Sequence, residues 1–195
     1  KQVHFYNGGN AGVQEGKATT TGYMLFKRFN RSISKTSPGV ASQNRPSIIF
    51  RLADFYLIYA EVANEVNPSD SRVLTYLNLV RERAGLPKVE ILNPGIVGNK
   101  ELQRAAIQRE RQIELATEGQ RYFDVRRWMI ADKDGEGRQN GYAHGMNVRG
   151  TINDTEEFNR VVETEKIVFN RKMYLQPIPD HEMRKTQNLV QNPGW

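Results

Sequence analysis

Two helix-period stretches, joined by a link too short to do anything but reverse the chain, constrain this sequence most. Leu52, Phe55, Tyr56, Tyr59, Ala60 and Ala63 recur at three- and four-residue intervals, the spacing of one helix face. Leu57, Ile58 and Val62 add apolar character at the flanks, so the pattern predicts a helix buried on more than one side. Asn67-Pro68 ends it, because proline lacks an amide donor and disfavours helix in the residue before it. Ser69 or Asp70 then offers an oxygen to cap a second helix. That helix carries Val73, Leu74, Leu77, Val80 and Ala84 on one face and stops at Gly85, with Pro87 two residues on. With a link of about four residues the two should lie antiparallel, an αα-hairpin over residues 51–85. Such hairpins build helical solenoids, but no second copy recurs at a period of about 34 residues.

The flanking sequence is less regular. Residues 1–47 read as a loop-rich basic segment, punctuated by Gly8-Gly9, Pro38-Gly39 and Pro46, with a short buried or paired strand expected at Gly22 to Phe29. Residues 88–99 read as a Pro/Gly loop. A third helix is expected from Asn99, its cap, to Glu118, with sparse apolar positions at Leu102, Ala105, Ala106, Ile113, Leu115 and Ala116. Gly119 should kink it before helical character resumes over Gln120 to Ile130. A flexible loop is expected from Ala131 to about Gly150, then short β-like pieces between Val161 and Leu175. Pro177-Ile178-Pro179 forces an extended stretch, and Asp180 can cap a short helix from His181 to Asn188. The fold class is mainly α with minor β: a TPR-like hairpin plus a loop-rich C-terminal region, with residues 48–195 read as one domain.

Composition excludes several classes. At 195 residues, with 38% apolar and 26% charged side chains, the chain is long and apolar enough to bury a core. No run approaches the roughly 18 apolar residues of a membrane span; the densest, Phe55 to Ala63, is broken by Glu61. Cysteine is absent, which removes disulfides, thiolate metal sites, cysteine nucleophiles and a lipidated cysteine within this stretch. The chain begins at Lys1 rather than Met, so a processed product, an engineered one or an excised piece is expected. The net charge of +6 is local: residues 1–50 hold seven bases against one acid, and the remainder balances at 21 of each. Without a Lys/Arg-lined helix or interleaved aromatics, nucleic acid is not an expected partner.

Chemistry-bearing residues are few. His4, His144 and His181 are far apart and in no ligand spacing, so no metal or other cofactor is expected. No G-x-S-x-G elbow and no glycine-rich phosphate loop occurs. The sharpest enzyme candidate is the row Glu110, Glu114 and Glu118, with Asp124 nearby, as the carboxylates of a glycoside hydrolase using Glu110 and Glu114. Glycosidases set two carboxyl groups on opposite sides of a bond, whereas residues four apart on a helix point the same way. Arg109, Arg111 and Arg121 interleave with the row, and Arg81 and Arg83 of the second helix can reach it. Arginine forks hold carboxylates as permanent anions, so the structural reading, an Arg/Glu network bracing helices, is favoured. Among aromatics, Tyr6 with Asn7, Tyr142 and Tyr174 are candidate sugar platforms, while Tyr56, Tyr59, Tyr122, Phe123 and Trp128 are expected in the core.

Five blocks in order then resemble the SusD/RagB family of outer-membrane nutrient-binding proteins. Residues 51–61, RLADFYLIYAE, look like its helix beginning R-x-A-E and ending Y-A-E, with Asp54 for the usual Glu. Residues 78–86, NLVRERAGL, look like its N-x-V-R-x-R-A-G-L. Glu110-Arg111, Glu114 and the run Glu118 to Trp128 look like its E-R…E…E-G-x-R-x-x-D-L-x-R-W, with Tyr122 for Trp and Val125 for Leu. Tyr174 to Pro179 and the terminal Gln191-Asn192-Pro193-Gly194-Trp195 complete the set. The resemblance implies a cell-surface lipoprotein that binds glycans over a TonB-dependent, SusC-like transporter, without catalysis, and that this chain is its C-terminal portion. It implies that the lipid anchor and most of a helical-repeat scaffold lie outside these residues, and it carries over no ligand contact. A scaffold for protein partners alone is the remaining alternative.

Overall fold

In a computed structural model that describes residues 48–133, 140–147 and 161–195, together with Lys27, the hairpin consists of α1 (Leu52–Val66) and α2 (Ser71–Arg83). Asp70 caps α2, its Oδ1 accepting from the Arg72 amide at 2.9 Å. At the other end Gly85 takes φ +77°, and the Leu86 amide reaches back to the Arg81 carbonyl while that of Gly85 reaches Glu82. This closes the helix as the Gly-Leu-Pro run predicts. The described residues belong to two compact units, Pro46–Trp128 and one that includes Met129–Trp195.

In the first unit the core is small and aliphatic. Leu57 and Ala60 of α1, Val73, Leu77 and Val80 of α2, and Ile107 of α4 (Lys100–Glu114) are all buried. The buried side of α1 is not the predicted one. Its stripe runs Ala53, Leu57, Ala60 and Asn64, and both α2 and α4 pack there because the two alanines let their backbones approach. Leu52, Phe55, Ile58, Tyr59 and Val62 are exposed, Phe55 at 57% and Val62 at 56%, which corrects the expectation of burial on more than one side. Tyr122 and Phe123, expected in the core, are exposed as well. On α2, Asn78 is buried and Ala84 is not.

Residues 88–99 hold more order than a Pro/Gly loop: α3 (Val89–Leu92) and a 3-10 turn at Pro94–Ile96. Buried amides organise them. Asn78 accepts from the Val89 amide and donates to Glu90, and Gln103 donates to the carbonyls of Ile96 and Pro68. The Asn99 side chain caps α4, accepting from the Leu102 amide. Helix α4 stops at Glu114, four residues before the expected end, because Thr117 (φ 68°) and Gly119 (φ 85°) turn the backbone left-handed. Glu118 therefore lies beyond the helix. Helix α5 (Gln120–Arg127) follows, ended by Met129 at φ 54°.

In the second unit β1 (Gly141–Met146) pairs antiparallel with β2 (Val161–Ile167), placing Tyr142 opposite Lys166 and His144 opposite Glu163, with a register irregularity between. Residues 141–146 were expected in a loop; their pairing is non-local and leaves no helix- or strand-period signature in Gly-Tyr-Ala-His-Gly-Met. A 3-10 turn (Arg171–Tyr174) and a short α6 (Asp180–Met183) follow; Pro179 occupies the cap position, and the helix ends well before Asn188. Side chain to backbone bonds hold this unit: Gln191 brackets both main-chain groups of Ile178, and the Trp195 indole donates to the carbonyls of Lys172 and Leu175. The strand expected at Gly22 to Phe29 lies outside the described residues, except Lys27.

Candidate functional site

Helix α4 presents Glu110 and Glu114 one turn apart, and the last turn of α2 meets them with guanidinium groups. Arg81 pairs with Glu110 at 2.9 Å and Arg83 pairs with Glu114. A third arginine enters from just before α1. Arg51 donates through Nε to both oxygens of Glu118, through Nη1 to the Glu114 carboxylate, and through Nη2 to the Glu114 carbonyl. That carbonyl is one of those the end of α4 leaves without an intrahelical partner, so Arg51 caps α4 from a distant part of the chain. Burial pushes the Arg51 pKa down, but the hydrogen bonds it donates to Glu118 and Glu114 outweigh it and raise it above its ordinary value.

A second chain of charges is deeper. Arg111, 3% exposed, lies 2.8 Å from Asp54 and donates to Asp124 at 2.9 Å. The contact with Asp54 is an ion pair whose angle falls short of a hydrogen bond. Asp124 also accepts from Arg127, whose two Nη atoms fork onto Glu61, and Glu61 accepts from the Trp128 indole at 2.7 Å. Side chains of α1, α4 and α5 with its C-cap Trp128 are thus joined in one run of alternating charge. At the far end of α4, Arg104 bridges Glu65 and Glu101, and its hydrogen bond holds the Glu65 carboxyl down at about 2.

The remaining singled-out residues are scattered. Arg121 lies with its guanidinium 5.8 Å from the Trp128 ring centroid, and Arg109 is exposed. Tyr142 is exposed on β1 with the Lys166 ammonium 5.7 Å from its ring centroid. Tyr174 is tied down rather than offered as a platform: its hydroxyl donates to Asp132 and its ring packs on Phe169. Tyr6 and Asn7 lie outside the described residues, as does His4. His181 pairs with Glu182 on α6, and among the described residues no three His, Asp or Glu side chains converge to hold a metal. Arg51, Asp54, Glu61 and Arg127 complete the charge runs and were not among the residues the spacing identified. On α1, Asp54 and Glu61 are seven apart beside the buried Leu57, and that polar stripe on an apolar helix is the signal that could have found them.

Chemically, the arrangement braces. Glu110 and Glu114 share one helix face, each occupied by a guanidinium, rather than standing on opposite sides of a space that a scissile bond could enter. The fold is that of a TPR-like helical scaffold with a small two-stranded sheet, its helices joined by arginine forks. The chain belongs to the SusD family, whose model matches residues 1–195. Two SusD-like proteins of Formosa agariphila are similar to it, one 44% identical over 54% of this chain and 19% of its own length, the other 31% identical over 76% and 26%. Among solved structures, a SusD-like protein of Bacteroides fragilis matches with a TM-score of 0.61 and 31% identity, over 76% of this chain and 26% of that one. The chain thus spans about a fifth to a quarter of the relatives it matches.

Proposed function

We propose that this chain is part of a non-catalytic protein that captures glycans or related nutrients at the cell surface for uptake through a TonB-dependent, SusC-like outer-membrane transporter. The observation that carries the reading is the family match over all 195 residues, since the SusD family is in general one of glycan-binding proteins at the outer membrane. The geometry agrees: the carboxylates that would serve a glycosidase are engaged by Arg51, Arg81 and Arg83. No helix among the described residues is long and apolar enough to cross a membrane, and membrane attachment is assigned to a lipid anchor outside this chain.

The test is native electrophoresis through gels loaded with a panel of polysaccharides, run beside assays with chromogenic glycosides. Retardation by at least one polysaccharide with no glycoside turnover is expected. Turnover that disappears in Glu114→Gln would overturn the reading in favour of a hydrolase. Co-purification with a large β-barrel and no affinity for any glycan would overturn it in favour of a protein scaffold.

A further inference from the structure

Resting on the glycan-capture reading, we infer that the exposed Tyr142–Lys166 pair of the β1–β2 hairpin is a subsite for an acidic sugar, one bearing a carboxylate or a sulfate ester. Tyr142 and His144 are both exposed on β1, with a register irregularity between them and Glu163 opposite His144 in the ladder. Lys166 stands directly opposite Tyr142 in the ladder, is itself exposed, and holds its ammonium 5.7 Å from the ring centroid. Among the described side chains no carboxylate, that of the neighbouring Glu165 included, forms an ion pair with Lys166.

The chemistry selects the ligand. A free exposed ring offers its face to the C–H surface of any sugar. A ring with a cation over it offers a stacking edge and a fixed positive charge together, so a neutral sugar must displace the ammonium, whereas an anionic one retains it as a counter-ion. The motif occurs twice in this unit: Lys172 holds its ammonium 4.2 Å from the ring centroid of Trp195, which is 44% exposed.

Matched polymers test this: dextran against dextran sulfate, and methyl-esterified against de-esterified polygalacturonate, each in affinity gels with the intact 195-residue chain. The sulfated or de-esterified partner should retard the protein and its neutral partner should not; which of the two acidic polymers acts tells sulfate from carboxylate. Lys166→Gln and Tyr142→Ala should weaken the acidic interaction about two- to fivefold, while Lys133→Gln, which removes the same charge elsewhere, should leave it unchanged. Equal retardation by neutral and acidic partners would overturn the acidic subsite and leave glycan capture standing. Acidic retardation reduced alike by Lys166→Gln and Lys133→Gln would also overturn it, as general charge attraction. No retardation by any polysaccharide, in these gels or across the wider panel, would end both readings.

Discussion

Arg111 shows what a buried charge does here. It is enclosed between Asp54 and Asp124, so Arg111→Met leaves Asp54 without its cation and Asp124 with Arg127 alone in a nearly water-free setting. We expect a loss of about 3–5 kcal/mol, read as a fall in the urea midpoint at unchanged slope. Glu65 behaves differently because it is largely exposed. Its carboxyl sits at about 2 against an ordinary 4.5, so its bond to Arg104 stabilises the fold above pH 4.5 and is lost as pH falls towards 2. Thermal midpoints followed from pH 5 to pH 2 should fall less steeply in Glu65→Gln than in the parent, and equal slopes would show that solvent has screened the pair out. These charged positions were only partly legible beforehand. The reach of Arg81 and Arg83 to α4 follows from helix spacing, while Arg51 is 63 residues from Glu114 and its approach depends on tertiary packing alone.

At the scale of elements, boundaries follow local chemistry where a cap or a proline writes them. Asn67-Pro68, Asp70, Gly85 and Asn99 each end or begin a helix through a group visible in the sequence. Gly85→Ala tests one of them cleanly. A methyl group there meets nothing within 4 Å, so only the left-handed backbone opposes it, and the cost should be about 1 kcal/mol or more by chemical denaturation. The early end of α4 was illegible for the opposite reason. Thr117 has no local preference for a positive φ, and its turn is stabilised by the Arg51 contacts with Glu114 and Glu118 on either side. Strand β1 was missed because its partner lies about twenty residues away and a two-stranded ladder needs no continuous alternation. The choice of face on α1 was also beyond periodicity: apolar side chains flank its polar stripe on both sides, and the small alanines that turn inward are not distinguished by spacing from the larger residues that stay outside.

For the molecule as a whole, that undecided face has a measurable result. Leu52, Phe55, Tyr59, Val62 and Val66 are exposed at alternating three- and four-residue steps along α1, the spacing of a helix–helix seam. The 195-residue chain should bind a hydrophobic dye or self-associate, and Phe55→Ser with Val62→Ser should suppress both without lowering the thermal midpoint; a dye-silent monodisperse parent would contradict this. Family and helical character were readable from five short blocks, because they hold the Gly85 stop and the charged positions that join α1, α2, α4 and α5. The chain also carries two tryptophans, one in each compact unit: Trp128, bonded to Glu61, and Trp195, bonded to the carbonyls of Lys172 and Leu175. Each indole is therefore a built-in fluorophore for its own half of the protein. Replacing one or the other with phenylalanine yields two optical probes that separate the melting of the helical half from that of the hairpin half in a single cuvette.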